Sequence, residues 1–233
     1  MLSRRFFLTL AGALVSPRMI PAAGSSPPSL DHILLGAADL DAGVADIEKK
    51  SGVRGAGGGS HPGAGTRNAL LSLGPERYLE IIAPDPQQSA ARSPRLSQLV
   101  NLRQPLLVGW AVHTKDIEAI ARRLRDAKIP ADGPNAGSRV RPDGKILRWR
   151  TLVLEDDVKG LLPFFIEWGA GTVHPSVDAP AGCKLTSFEV ESQDDTRLRE
   201  MFQKMGIEVT VRRGAGLLRA RIAGLHGEFE LTS

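Results

Sequence analysis

The segments LDHILL at residues 30–35 and RYLEII at residues 77–82 decide how this chain folds. Both are short apolar runs with the residue types and spacing of β-strands. Side chains alternate between the two faces of a strand, so we expect His32 and Glu80 to lie on the inward faces of an otherwise apolar sheet. Buried there, an imidazole and a carboxylate need a partner, and a divalent metal ion would satisfy both.

The unit enclosed by these two strands occurs twice. Residues 29–86 read as strand, helix and three further strands, with Asp39 as the N-cap of the helix. Residues 105–170 repeat this order, and Asp116 takes the place of Asp39. A repeat of this length indicates a duplicated supersecondary unit, which predicts an α+β fold of two paired βαβββ modules forming a mixed sheet.

Aligning the two helix caps compares the candidate polar residues of the modules. Gly109 then stands where the first module has His32, and Glu167 matches Glu80. The second module therefore lacks the histidine, and we expect it to supply only a carboxylate.

A third, weaker copy is predicted for residues 182–233, with Asp194 as its helix cap. Ser187 falls at its histidine position, and we assign no ligand role to Glu230 on its last strand. We expect this βαβββ-like module to be structural and to cover or extend the sheet of the first two. The glycine-rich segment at residues 55–59 is predicted to be a flexible loop, because no lysine-serine or lysine-threonine pair follows it to form a phosphate cradle.

Composition excludes several classes of function. The 233 residues are 42% hydrophobic and 24% charged, which is typical of a globular protein. A net charge of +4 without a basic patch gives no reason to expect nucleic acid as a partner. The single cysteine, Cys183, cannot form an intrachain disulfide and is predicted to be buried. Nucleophile-elbow, phosphate-loop and dinucleotide motifs are missing from the sequence.

The first 28 residues resemble an export signal. Arg4 and Arg5 precede an apolar run at residues 9–15, as in twin-arginine signal peptides, which are addresses read by an export machinery. The run is shorter than the ~20 residues that span a bilayer. We therefore predict an exported, periplasmic protein with a flexible mature N-terminus. The alternative is a short uncleaved helix near the membrane.

Several motifs resemble one family. The segments HPGAGTRNALL at 61–71, YLE at 78–80, RPDG at 141–144 and PFFIEW at 163–168, together with His32, are similar to the glyoxalase-like domain family of the vicinal oxygen chelate superfamily. The resemblance covers about residues 29–175. It implies a sheet curled around a cleft, where a metal ion binds vicinal oxygens of a substrate. The implied activities are isomerisation, lysis, epimerisation and extradiol dioxygenation, although some relatives only bind a ligand.

The resemblance also implies a ligand set. His32, Glu80 and Glu167 would be the metal ligands, and the fourth position is lost at Gly109. Three protein ligands still leave open positions for substrate, and this mixed set suits Mn, Fe, Mg or Zn. Glu80, Glu167 and His61 are the candidates for catalytic proton transfer.

The other histidines receive weaker assignments. His61 is the better replacement for the missing ligand, although a loop histidine that binds backbone is equally consistent with the sequence. His113 lies ~13 Å along its strand from the lost position, which is too far. His174 and His226 are predicted to be surface residues.

Substrate contacts are predicted for Arg148, Arg150, Trp110 and Asn68. The two arginines share one strand face and could orient an anionic substrate through their planar forks. The alternatives are a solvated outer face, or ion pairs with Glu80 and Glu167. Arg139 and Arg141, close to a hairpin turn, are placed at the rim of the pocket.

The leading hypothesis is therefore a metal-dependent enzyme acting on a small oxygenated metabolite. The alternative is a metal-free protein of the same fold that binds or sequesters a small ligand. A homodimer formed through the third module is a further possibility.

Overall fold

The structure is a computed structural model that describes residues 28–88, 93–141, 143–155 and 160–233. The predicted export signal falls on residues that lie almost wholly outside this part of the chain. Within the described residues, no helix has the length and apolar character needed to cross a membrane.

The first half of the main sheet follows the predicted order. It consists of β1 (Ser29–Gly36), α1 (Leu40–Ser51), β2 (Ala56–His61), β3 (Thr66–Ser72) and β4 (Tyr78–Pro84). The carboxylate of Asp39 accepts a hydrogen bond from the Ala42 amide at the start of α1, and Gly52 ends the helix in the left-handed conformation.

The glycine-rich segment is a strand, so the prediction of a loop there is wrong. β2 pairs with β3 as the edge of the sheet. A Cβ atom at Gly58 would lie 1.7 Å from the carbonyl oxygen of Asn68, so the neighbouring strand passes where a side chain would be. Glycine is needed here for close backbone approach rather than for flexibility.

The second half repeats the order after a short helical connection. A 3₁₀ turn (Pro86–Gln88) and α2 (Pro94–Leu99) lead to β5 (Leu106–His113), α3 (Ile117–Asp126), β6 (Ala131–Val140), β7 (Ile146–Leu154) and β8 (Phe164–Trp168). Asp116 caps α3 by accepting from the Ala119 amide, as Asp39 caps α1. The predicted duplication is confirmed.

The two halves form one eight-stranded sheet in the order β2-β3-β4-β1-β5-β8-β7-β6. β1 pairs with β4 and β5 with β8 in parallel, while β1 and β5 join the halves antiparallel. The sheet curls so far that its two edge strands approach each other. The carbonyl oxygen of Val140 on β6 lies only 3.1 Å from the position that a Cβ atom would take at Gly59 on β2. The predicted curled mixed sheet around a cleft is confirmed.

The third module has the predicted order but a different topology. After a short helix, α4 (Pro175–Asp178), come β9 (Lys184–Ser192), α5 (Asp195–Met205), β10 (Thr210–Arg213), β11 (Leu217–Gly224) and β12 (Gly227–Thr232). These strands form a separate sheet in the order β10-β9-β11-β12. The first strand therefore pairs in parallel with the second strand of its module, whereas β1 and β5 pair with the last.

The second sheet covers the helical side of the main sheet. Trp110 of β5 packs against Phe188 of β9 and Phe202 of α5, with ring centroids 5.1 and 5.8 Å away. One continuous apolar cluster links α1, α3 and both sheets. The third module therefore covers the main sheet rather than extending it, and Cys183 is buried as predicted.

Candidate functional site

The inner face of the curled sheet encloses a cleft of about 390 Å³. This volume is within the range of small-molecule sites. The walls are mainly aliphatic and aromatic, formed by Leu34, Leu70, Ile82, Trp149, Val153, Phe164, Ile166 and Trp168. His32, His61, Asn68, Glu80, Arg95 and Arg139 supply polar groups. A larger cavity of about 610 Å³ lies between α3 and α5, but none of the described histidines and cysteines lines it.

His32 is held in one orientation at the base of this cleft. Its ring is 3% exposed and stacks on Tyr78, with 4.5 Å between the ring centroids. Nδ1 lies 2.6 Å from Oδ1 of Asp31, so this nitrogen carries the proton that it donates to the carboxylate. Nε2 consequently points the other way and lies 3.5 Å from Oε2 of Glu80.

Asp31 is fully buried and binds two further side chains besides that of His32. Its Oδ2 accepts hydrogen bonds from His174 Nε2 at 3.1 Å and from Trp168 Nε1 at 2.9 Å. Burial by itself raises the pKa of Asp31, but the hydrogen bonds from His174 and His32 outweigh it and hold the pKa far below the ordinary aspartate value. The predicted surface position of His174 is therefore wrong, because this half-buried residue fixes the carboxylate behind His32.

Glu80 is 7% exposed and belongs to a second set of contacts. Asn68 Nδ2 donates to Glu80 Oε1 at 2.7 Å and also lies 3.2 Å from His61 Nε2. The Gly59 amide donates to Asn68 Oδ1 at 2.9 Å, which fixes the side-chain amide with its nitrogen toward Glu80 and His61. His61 Nε2 is therefore an acceptor, and Nδ1 donates to the Thr66 hydroxyl at 2.9 Å.

The charges of these groups follow from their surroundings. Burial raises the pKa of Glu80, but the His61 and His32 imidazoles and the Asn68 amide outweigh it, so the pKa is lowered and the carboxylate is ionised near neutral pH. Burial lowers the pKa of His61. The Glu80 carboxylate raises this pKa and Arg139 lowers it, and the net effect is a lowered pKa, so the imidazole is neutral near neutral pH. Burial and the nearby carboxylates of Asp31 and Glu80 raise the pKa of Tyr78 well above its ordinary value.

Glu167 does not lie in the cleft. It is on the opposite face of β8, where it accepts from the Ile117 amide at 3.2 Å and forms an ion pair with Arg150 at 2.5 Å. This is the ion-pair alternative of the sequence analysis, and it removes Glu167 from both the predicted ligand set and the catalytic candidates.

Strand register identifies the residue that stands in place of Glu80. Leu34 on β1 pairs with Glu80, and the equivalent Ala111 on β5 pairs with Phe164. Phe164 therefore occupies the position predicted for Glu167, and its ring lies edge-on to His32 at 5.5 Å. The repeat alignment was shifted by three residues, and an odd shift along a strand moves a side chain to the other face.

The place of the lost ligand at Gly109 is occupied by an arginine. A Cβ atom at Gly109 would lie 3.3 Å from a terminal nitrogen of Arg95, which reaches over from α2. Nη1 of Arg95 donates to the Val108 carbonyl at 2.5 Å. The second half therefore brings a cation to the position where a metal-binding module would have a donor.

The predicted substrate contacts are placed differently by the fold. Asn68 lines the cleft, but Trp110 is 1% exposed in the core on the opposite face, where Nε1 donates to the Leu161 carbonyl at 3.0 Å. Arg148 and Arg150 lie on the outer face of β7, and Trp149 between them faces the cleft. Only one face of β7 can turn inward, and the structure supports the alternative of an outer face and an ion pair for Arg150, so the predicted substrate contact is wrong.

Arg139 and Arg141, both predicted to lie at the rim of the pocket, occupy different places in the structure. Arg139 lines the cleft and is 5% exposed, so it is buried rather than at the rim. Arg141 forms ion pairs with Asp178 at 2.6 Å and with Asp143 at 3.3 Å outside the cleft.

The resemblance to the vicinal oxygen chelate superfamily implies a divalent metal ion, and the described donors can be compared with what such an ion requires. His32 Nε2 and Glu80 Oε2 face each other, but His61 Nε2 already accepts from Asn68. Among the described residues, no group of three or more histidine, cysteine, aspartate or glutamate side chains is placed to hold a metal ion. A catalytic site needs three protein ligands, so these residues do not complete one.

A cleft inside a curled sheet built from two strand-helix-strand-strand-strand halves defines the glyoxalase, or vicinal oxygen chelate, fold. The chain belongs to the glyoxalase-like domain family, whose profile matches residues 30–206. The match extends past residue 175 to the end of α5. No curated protein matches the chain.

Solved structures resemble this chain at low sequence identity. A hypothetical protein from Staphylococcus aureus is 18% identical, with a TM-score of 0.59 over 87% of this chain and 85% of that one. Methylmalonyl-CoA epimerase from Mycobacterium tuberculosis is 21% identical, with a TM-score of 0.45 over 64% of this chain and 92% of that one. A hypothetical protein from Bacillus halodurans is 18% identical, with a TM-score of 0.46 over 63% and 98%.

Proposed function

We propose that this protein is an enzyme that removes or delivers a proton at a carbon atom beside a carbonyl group of a small, oxygenated metabolite. The observation that supports this proposal best is the buried series Asp31, His32 and Glu80, which ends in a cleft with apolar walls. Such a series places two groups that can accept and return a proton side by side at the wall of a binding site, which is the arrangement general acid–base catalysis needs.

Each member of the series has a distinct part. Asp31 keeps the proton on Nδ1 of His32, so Nε2 is the atom that exchanges a proton with the substrate. Glu80, ionised and 3.5 Å from that nitrogen, takes or returns the proton on the same side of the cleft. Asn68 positions Glu80 through the hydrogen bond to Oε1. Negative charge that develops on the substrate oxygen is stabilised by the cationic Arg139, in a cleft whose walls are mainly apolar.

The test is deuterium exchange at the carbon beside the carbonyl of 2-oxobutanoate and 4-phenyl-2-oxobutanoate, followed by proton NMR in deuterium oxide. We expect the full-length protein to accelerate exchange over buffer, and Glu80→Gln to lose this acceleration. Absence of acceleration for both compounds, with and without added Mn²⁺, Fe²⁺, Mg²⁺ or Zn²⁺, would contradict the proposal.

The same assay decides whether a metal is needed. Because the described donors provide only His32 and Glu80 for an ion, we expect the exchange rate to be unchanged by a chelator. Loss of exchange in chelator and its recovery with one of the four metals would restore the metal-dependent enzyme implied by the family resemblance.

A second candidate function is ligand binding without turnover. It is favoured by the extent of the apolar wall and by the second half of the sheet, which contributes Phe164 where the first half has Glu80. This candidate predicts saturable binding in the cleft while the deuterium exchange rate stays at that of buffer.

We also infer that the chain is exported to the periplasm by the twin-arginine machinery, on the evidence of Arg4 and Arg5 before a short apolar run. Replacing both arginines by lysine should move the full-length protein from the periplasmic to the cytoplasmic fraction of an expressing bacterium. An unchanged distribution would contradict export by this route.

The homodimer stays a prediction, which sedimentation of the purified protein checks.

A further inference from the structure

We infer that the cleft holds its ligand through a carboxylate, bound by the guanidinium group of Arg139. This inference rests on the proposed function and deepens it, since it names the substrate class as small apolar carboxylic acids.

The first observation is that Arg139 is buried without a hydrogen bond or an ion pair to any of the described residues. It is 5% exposed on β6, and its Nη1 atom is buried without a hydrogen-bond acceptor among the described residues. Burial lowers the pKa of Arg139 by more than the nearby Glu80 carboxylate raises it, but an arginine starts so high that it stays charged. A buried charge without a partner is strongly unfavourable, so a ligand that supplies the missing oxygen atoms would be bound tightly.

The second observation is the contrast with Arg141, two residues along the same strand. Arg141 has two carboxylate partners, Asp178 and Asp143. None of the described carboxylates forms an ion pair with Arg139. The described part of the chain therefore supplies carboxylate partners to Arg141 but forms no ion pair with Arg139, which lines the cleft.

The surroundings of Arg139 define the rest of the ligand. A guanidinium group offers parallel N–H donors that match both oxygens of a carboxylate. Glu80 is ionised and repels an anion whereas Arg139 attracts one, so the ligand's carboxylate belongs beside Arg139. Trp149, Val153 and Ile166 form walls that suit an apolar body. An acid with an aryl or alkyl chain of a few carbons satisfies all of these requirements.

The experiment is isothermal titration of the full-length protein with two acids, 3-phenylpropanoate and 4-phenyl-2-oxobutanoate, and with the neutral amide of each. We expect each acid to bind at least about tenfold more tightly than its amide. Arg139→Gln should abolish this preference, and Arg139→Lys should retain part of it because the charge remains without the fork. Arg141→Gln is the matched control and should keep the full preference.

Three outcomes would overturn the inference: amides that bind as well as acids, acids that bind Arg139→Gln as tightly as the original protein, or acids that do not bind at all. Arg139→Met provides the folding check. Because it removes an unpaired buried charge, its melting temperature should equal or exceed that of the unchanged protein, whereas a structural role for Arg139 predicts a decrease. Acid binding without deuterium exchange contradicts only the proposed function. Exchange without acid preference contradicts only this inference.

Discussion

The two halves of the eight-stranded sheet have one architecture and different chemistry. Where the first half has His32, the second has Gly109 with the Arg95 side chain beside it. Where the first half has Glu80, strand register places Phe164. Among the described residues that line the cleft, the histidines and the carboxylate therefore come from the first half only.

The comparison extends to the residues behind the cleft. Counting back from the helix caps pairs Asp31, which fixes His32, with Val108 in the second half. It also pairs Ile33 with Trp110, and both of these lie on the core face. The first half thus supplies proton-transfer groups and the carboxylate that orients them, while the second supplies apolar walls and the cationic Arg139. The difference teaches that the cleft is suited to one orientation of an asymmetric ligand.

The largest expected effect tests the first half. His32→Gln should lower the rate of deuterium exchange by about 10²–10⁴-fold, because the group that exchanges the proton is removed while the volume is nearly kept. NMR exchange kinetics measure the change. His226→Gln, at an exposed histidine, is the control and should leave the rate unaltered. A rate for His32→Gln within twofold of the unchanged protein would place the chemistry elsewhere.

The next largest effect tests the core face of the second half. Trp110→Ala should lower the free energy of unfolding by about 3–5 kcal/mol, since it leaves a cavity beside Phe188 and Phe202. Chemical denaturation measures this loss. Trp149→Ala is the paired variant on the cleft face and should cost less stability but weaken binding of 3-phenylpropanoate. The reverse pattern would show that the two faces of the sheet are assigned wrongly.

Asp31→Asn should lower the free energy of unfolding by about 2–3 kcal/mol at pH 7, because the three donors that bind the buried carboxylate lose their charged acceptor. The pKa of Asp31 is depressed in the folded state, so its stabilisation is complete above the ordinary aspartate pKa of about 3.9 and is lost as the pH falls below it. The destabilisation by Asp31→Asn should therefore shrink below about pH 4. Denaturation curves at several pH values measure it, with the exposed Asp126→Asn as control. A pH-independent difference would contradict the ionised, hydrogen-bonded carboxylate.

The smallest expected effect concerns the outer face of the second half. Arg150→Ala should change the free energy of unfolding by less than about 1 kcal/mol, since its ion pairs with Glu118 and Glu167 are partly solvated. It should leave both acid binding and exchange unaltered. A clear loss of binding in titration would return Arg150 to the cleft, as the sequence analysis predicted.

Most of the fold was predictable because its signals are local. Asp39 and Asp116 at the helix caps, together with alternating apolar runs, define two units of the same order without reference to the rest of the chain. The order of the third module was also visible around Asp194, as a weaker copy. Its strand pairing was not, because the same order of elements is compatible with β9 pairing with either its second or its last strand.

The site was predictable in part. The strand patterns around His32 and Glu80 place both on inward faces, and the structure brings them together. Asp31 and His174 gave no such signal, because their contact joins residues more than a hundred positions apart. Glu167 was predicted as a metal ligand because it is a carboxylate on the last strand of its module. Which face of the sheet it occupies depends on the pairing register of that strand, and the local sequence pattern does not determine this register.

The amino-acid sequence by itself determined the duplicated units, the helix caps and the family, because each depends on residues close together in the chain. Tertiary structure alone decided which faces of β7 and β8 turn inward, and hence that Trp149 and Phe164 line the cleft while Arg150 and Glu167 pair outside it. The physical reason is the two-residue period of a strand, in which an odd shift of register reverses every side chain.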